Sequence, residues 1–271
     1  MSFDNAYFSV GFLDRLSYQD TFVHRLDARA KVIITAAFLL AVISFPKYEV
    51  SAILPFSLLP VLLMTLGDIP AGFVLRKILL VSPFAILVGI FNPVLDRAAA
   101  LEVLGLTISA GWVSFFSIMV KFTLSISAAL LLVATTSFPG ICNALQRLGV
   151  PGIFTTQLVF LYRYMFVLME EAMRIVRARD MRSFGQRGRG VRVFVRLVGM
   201  LFIRTMSRAE RIYNAMLSRG FVRGDIPQLG QHRFALIDLV FMIVALGLLV
   251  LFRMVPVTGL IGQYVRGVFA G

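Results

Sequence analysis

The chain has 271 residues, 59% of them hydrophobic and only 15% charged, with a mean hydropathy of +0.87 and a formal net charge of +13. The apolar share lies well above that of a soluble domain and the charged share well below it, which excludes a soluble globular protein and makes this an integral membrane protein. The single cysteine, Cys142, excludes an internal disulfide, and two histidines as far apart as His24 and His232 make no recognisable metal cluster.

Residues 1–30 intersperse Asp4, Asp14, Asp20 and Asp27 with Phe3, Tyr7, Phe8, Phe12, Leu13, Leu16 and Phe22, a mixture expected to lie along the membrane surface. No basic start leads into an apolar run and a cleavage site, so no cleaved signal peptide is expected. Residues 32–45 and 50–66 read as two spans joined by a tight outer turn, each near the ~17-residue minimum for crossing the hydrocarbon. A loop with Asp68, Pro70, Arg76 and Lys77 precedes a third span, 78–95, interrupted by Pro83 and Pro93. Such prolines are tolerated where neighbouring groups satisfy the freed carbonyls. Residues 96–111 make an outer loop, and Trp112 marks an interface.

The fourth span, 113–136, contains Lys121, which is expensive in lipid and is expected to snorkel toward the near surface rather than pair inside the bundle. Ile141, Leu145 and Leu148 recur at helical spacing and predict a short helix over 139–151. From Gly152 a long pattern starts apolar, through Leu158-Val-Phe-Leu161, and becomes charged at Glu170. The last span covers 234–255, and a short apolar tail carries Tyr264 and Arg266.

Arg29, Lys31, Arg76, Lys77 and a basic block ahead of the last span share one side, whereas Lys47 and Arg97 are sparse on the other. The positive-inside rule puts the N-terminus and the basic block in the cytoplasm. The expected fold is therefore an all-α, multi-pass membrane protein with about five core spans and a pair of long cytoplasmic amphipathic helices before the last one. Its segments are 1–31 at the membrane surface, 32–136 with four spans, 137–233 as the cytoplasmic helical region, and 234–271 with the final span and tail.

The basic block holds 14 of the 27 basic residues, between Glu170 and Arg233. On a helix drawn from Phe202, Arg204, Arg208, Arg211, Ala215 and Arg219 share a face opposite Met206, Tyr213, Met216 and Leu217. In the preceding helix Glu170 and Arg174 have the i,i+4 spacing of an ion pair. Two endings echo one another: Ala178-Arg-Asp-Met-Arg182-Ser-Phe184 and Ala215-Met-Leu-Ser-Arg219-Gly-Phe221. Gly185, Gly188 and Gly190 between the helices lack the Lys-Ser/Thr ending of a phosphate loop. Attraction to anionic lipid is a background effect of about 1 kcal/mol per basic residue. A docking reading fits the echo: an arginine reaches a partner's carboxylate, the small residue permits close approach and the Phe fills a pocket of the partner.

Together with these endings, three further segments carry a resemblance: His24-Arg-Leu-Asp-Ala-Arg-Ala-Lys31, Phe138-Pro-Gly-Ile-Cys-Asn-Ala-Leu-Gln-Arg-Leu-Gly-Val-Pro151 and Tyr162-Arg-Tyr-Met-Phe-Val-Leu-Met-Glu-Glu171. The chain resembles the transmembrane T component of energy-coupling factor transporters, and within it the CbiQ branch that serves cobalt uptake. The resemblance covers nearly the whole chain and implies a coupling scaffold. In that family the T component joins two cytoplasmic ABC-type ATPases to a separate substrate-capture membrane subunit, and motifs at the ends of two coupling helices sit in grooves on the ATPases. Carried across, the second motif is Ser218, Arg219 and Gly220. The first is Met181, Arg182 and Ser183, with Ala178, Arg179 and Asp180 in reserve. Ala28 departs from the family, which often has Pro there.

The resemblance further implies a non-catalytic subunit in a bacterial or archaeal cell membrane. It would bind no cofactor, metal or nucleic acid of its own, and ATP would be used by its partners. Nickel or a vitamin remains open as the transported species. Two other classes compete: a lipid- or prenyl-modifying membrane enzyme using Lys121, Asn92 and Asn143, which are scattered, and a membrane anchor for a nucleic-acid machine, which would bind DNA or RNA in a salt-sensitive way.

Overall fold

In the computed structural model, which describes residues 16–46, 50–95, 99–103, 106–182, 190–221 and 234–254, helices follow the apolar runs. In chain order they are α1 (Phe22–Arg25), α2 (Ala28–Ile43), α3 (Val50–Ile53) with a 3-10 turn (Leu54–Ser57), α4 (Leu58–Leu66), α5 (Ala71–Gly89) and α6 (Phe91–Leu95). A two-stranded antiparallel pair follows, β1 (Ala99–Val103) and β2 (Leu106–Ser109). The remainder is α7 (Ala110–Thr135), α8 (Phe138–Arg147), α9 (Gly152–Arg182), α10 (Val191–Ser218) and α11 (Leu236–Met254). The β pair lies within the segment read as an outer loop; Leu101-Glu-Val103 and Leu106-Thr-Ile108 alternate with the period of two that suits strands.

Among the described residues four helices are long and apolar enough to cross a membrane, Ala71–Pro93, Ala110–Thr135, Gly152–Arg182 and Leu236–Met254, and Val50–Leu66 is a shorter apolar helix. Membership of this set differs from expectation in three places, the first being Val50–Leu66, which was read as a span and falls short of spanning length. Helix α2 has 16 residues, so it rises only ~24 Å against a hydrocarbon thickness of ~30 Å. Helix α9, inside the segment read as cytoplasmic, has an apolar first half of spanning length.

The described residues divide into two units, 16–137 with 234–254, and 138–182 with 190–221. In the first, α7 packs against α2 to α6, and α11 packs against α2. The α2 residues Ile34, Phe38 and Val42 recur on one helical face and, with Phe45 just beyond the helix, meet Ile53, Phe56, Leu59, Leu124, Ala128 and Leu249 in the core. Phe56 is its centre, edge-on to Phe45 at 5.3 Å and to Phe252 at 5.9 Å between ring centroids. The Arg253 guanidinium lies 4.3 Å from the Phe45 centroid, a cation–π contact at the rim.

Two features allow α5 to pack. Pro83 lies inside the helix and frees the Leu79 carbonyl, which accepts instead from the Ser82 hydroxyl at 2.9 Å. At Gly89 a Cβ would stand 2.9 Å from the Phe115 ring of α7, so the absence of a side chain is what lets the two helices approach. Lys121 has a partner within the fold: its Nζ donates to the Phe45 carbonyl at 2.6 Å. That carbonyl lies just past the end of α2, beyond the helical ladder, and is thus available to the ammonium.

The segment from His24 to Lys31 ties this unit together. Asp27 is the N-cap of α2, and its Oδ1 accepts from the Arg29 N–H at 2.8 Å. Its own backbone N–H donates to Asp238 Oδ1 at 2.9 Å, and Asp238 Oδ2 accepts the Ala235 N–H at 2.8 Å, closing the reciprocal half of a capping box at the start of α11. Lys31 Nζ donates to the Thr135 carbonyl at 2.8 Å and the His24 carbonyl at 3.3 Å, so it satisfies an orphan acceptor at the end of α7. His24 Nε2 lies 3.3 Å from the Ala134 carbonyl and Nδ1 lies 2.7 Å from the Thr21 hydroxyl. Burial holds the imidazole below its ordinary pKa of 6.5, partly offset by the Ala134 hydrogen bond. A depressed histidine stays neutral in the fold, so its contribution is present above pH 6.5 and is lost as pH falls below that value.

Asp27, Lys31 and Asp238 are all buried, at 6%, 7% and 4% exposure, and Asp238 and Asp27 supply the negative charge that Lys31 faces. Lys31→Met should therefore destabilise the purified chain by about 3 kcal/mol, because it strands buried carboxylates without their counter-charge. Thermal unfolding in detergent measures this. Ala28→Pro should have the opposite effect, raising stability by about 0.5 kcal/mol in the same assay. Ala28 is the first residue of α2, where an intrahelical donor is not needed, and Asp27 already has the extended ψ of 133° that a following proline requires.

Candidate functional site

The second unit consists of α8, α9 and α10. Phe138 stacks on Tyr162 at 4.8 Å and Tyr162 meets Phe166 edge-on at 5.2 Å, which binds α8 to the apolar half of α9. Helix α10 begins at Val191, well before the Phe202 start used for the helical projection, because Val191, Val195, Val198 and Phe202 extend the same apolar face backward. Among its described residues none is buried.

Helices α9 and α10 are joined by an ion pair that the sequence pattern did not single out. Arg204 Nη1 donates to Glu171 Oε1 at 2.7 Å, and Arg174 approaches the other oxygen of Glu171 at 3.9 Å. Arg174 thus pairs at i,i+3 with Glu171 rather than at i,i+4 with Glu170, since a single carboxylate between both arginines answers two charges. Beside this pair lies a cleft of about 550 Å³, with Phe160, Tyr164 and Leu168 of α9 on one wall and Met206, Tyr213 and Met216 of α10 on the other. The apolar face projected from the sequence lines this cleft, and Phe221 lines it too.

The sequence-selected residues sit at the ends of the two helices. Met181 and Arg182 are exposed in the last turn of α9, and Ser183 and Phe184 lie outside the described residues. In the reserve set Ala178 is half-buried, and Arg179 Nε donates to Asp180 Oδ1 at 3.0 Å. The Arg179 charge is therefore answered by its own neighbour. Among the described residues no carboxylate pairs with Arg182 or Arg219.

At the end of α10 the three motif residues have separate local roles. The Ser218 hydroxyl donates to the Asn214 carbonyl at 2.9 Å, and Arg219 is the exposed C-cap. Gly220 takes φ +79°, the left-handed conformation that ends the helix. Gly220 N–H donates to the Leu217 carbonyl at 3.0 Å and Phe221 N–H to the Met216 carbonyl at 3.0 Å, which together make a Schellman cap. Phe221 lines its own chain's cleft, because this cap turns the backbone back over Met216.

The family model for CbiQ, described as cobalt transport protein, matches residues 19–229. The chain belongs to this family. The match takes in the segment from His24 to Lys31 and both arginine endings. Cobalt transport protein CbiQ of Salmonella typhimurium is 29% identical over 217 residues, covering 74% of this chain and 92% of its own length. An energy-coupling factor transporter transmembrane protein, EcfT, of Leuconostoc gelidum is 26% identical over 255 residues, 86% of this chain and 92% of its own. An uncharacterised protein of Methanocaldococcus jannaschii is 26% identical over 254 residues, 89% of this chain and 86% of its own. This member of the CbiQ family is accordingly a multi-pass α-helical membrane protein of a cobalt transport family.

The Glu171–Arg204 link makes a prediction about the cleft. In a Leu168→Cys/Thr205→Cys variant, whose two positions line it from α9 and α10, adding Glu171→Gln should lower the yield of the disulfide cross-link. Glu171→Asp should retain more of it, and non-reducing gels read both.

Proposed function

We propose that this chain is the transmembrane coupling subunit of an energy-coupling factor importer for cobalt ion. It carries the motion of two cytoplasmic ABC-type ATPases to a separate membrane subunit that captures the substrate. The observation that carries the reading is the pair of exposed arginines at the C-terminal ends of α9 and α10, Arg182 and Arg219, in a chain of the CbiQ family whose relatives include transporter transmembrane proteins.

A guanidinium presented at a helix end can make a bidentate, charge-assisted bond with a carboxylate in a groove. Two such ends suit a pair of ATPases. Arg182 takes the first contact rather than Arg179, whose guanidinium is already held by Asp180. The proposed contact set is Met181, Arg182 and Ser183 with Ser218, Arg219 and Gly220. In this reading the basic ends face the cytoplasm, as does the N-terminus, and the chain does no catalysis and holds no cofactor or nucleic acid. ATP is bound and hydrolysed by the partners, and the capture subunit selects the cobalt ion.

Arg182→Ala and Arg219→Ala should each weaken association with the ATPases by about 30-fold, the size of a contact worth ~2 kcal/mol. The double variant should abolish ATP-dependent cobalt uptake while the chain still inserts in the membrane. Co-purification of ATP-hydrolysing subunits and uptake of radioactive cobalt measure the two effects. Retention of both by the double variant would contradict the proposal.

A further inference from the structure

We infer that Phe221 is a positioning residue for Arg219, fixing the backbone that presents the arginine by closing the end of α10 against the chain's own cleft between α9 and α10. The inference deepens the reading of Arg219 as an ATPase contact and rests on it for its functional consequence. Arg219 is the C-cap of α10, followed at once by a left-handed Gly220. The next N–H, that of Phe221, returns to the Met216 carbonyl at 3.0 Å. Phe221 then lines the same cleft as Met216, the apolar contact that accompanies a Schellman cap. Helix α9 supplies the facing wall with Ile153, Phe160 and Tyr164.

Arg219 is thus fixed from both sides, by the helical ladder before it and by a seated aromatic ring after it. A Cβ on Gly220 would meet nothing within 4 Å, so conformation and not space is what calls for glycine there. The Ser218 hydroxyl is directed to Asn214 and gives no support to the residues beyond. The cap and the ring therefore define where the arginine stands, and the ring's seat is built jointly by α9 and α10. A helix end whose backbone is ordered before docking loses less conformational freedom on binding, which strengthens the contact without adding one.

The experiment uses the full chain in detergent. A nitroxide attached at Arg219→Cys reports order at that position without any partner, and titration of the purified ATPase pair reports docking. Phe221→Ala should sharpen the nitroxide spectrum toward free motion and, with Arg219 intact, weaken ATPase binding by about tenfold. Phe221→Leu, which keeps an apolar side chain in the wall of the cleft, should restore binding to within about twofold. Gly220→Ala should weaken binding by about tenfold and Gly220→Asn should recover most of it, since asparagine tolerates positive φ. Equal nitroxide mobility with and without Phe221 would overturn the inference, as would wild-type binding by both Phe221→Ala and Gly220→Ala. Wild-type binding by Arg219→Ala would instead overturn the docking reading, and the nitroxide result would still decide whether Phe221 orders this position.

Discussion

Asp238 accepts the backbone N–H of Asp27, a residue 211 positions earlier in the chain, and with its other oxygen caps the helix it belongs to. The starts of α2 and α11 are thereby locked together, while Lys31 carries the end of α7 into the same cluster. Each member also performs a local duty, so none of the three charges is a surplus held only by its opposite. The aromatic core around Phe56 packs along the helices that this cluster sets in register. A buried ion cluster is weak evidence for stability, since apolar replacements of the whole set can be as stable. Its value here lies in direction: hydrogen bonds fix which helix ends meet, and apolar contacts alone would permit sliding.

Polar groups elsewhere follow the same logic of repairing helix ends and gaps. Ser82 answers the carbonyl that Pro83 frees, Lys121 answers one past the end of α2, and the backbone after α10 folds back to answer its last carbonyls. In a low-dielectric surrounding an unanswered carbonyl is costly. These side chains mark the places where the chain changes direction, which is also where the exposed arginines stand.

Most of the architecture was legible because apolar runs and arginine spacing are local properties. The short helix beginning at Phe138, the long helix from Gly152 and the glycine stop at Gly220 follow from periodicity and cap chemistry within one segment. What was not legible depends on distant partners. Nothing near Lys121 announces the Phe45 carbonyl, and nothing near Asp27 announces Asp238. Glu170 and Glu171 are adjacent and chemically alike, and only the arrival of Arg204 from α10 selects Glu171. The setting of Phe221 was hidden for a related reason: its pattern says that the ring follows a helix end, but the direction of the chain there is set by the cap. The motif from His24 to Lys31 entered as a resemblance and is now explained by three hydrogen-bonding duties, with Ala28 at the position where proline would be admissible.

Helix α9 is a single unbroken element of 31 residues, which makes it ~46 Å long. Its Pro-free, Gly-free interior between Gly152 and Arg182 offers no hinge. A rod of that length turned by about 10° around one end sweeps the other through about 8 Å. Small rotations among the aromatic rings that clasp its apolar half are thus magnified at Arg182, and the helix acts as a lever arm whose stiffness is written in the absence of helix breakers.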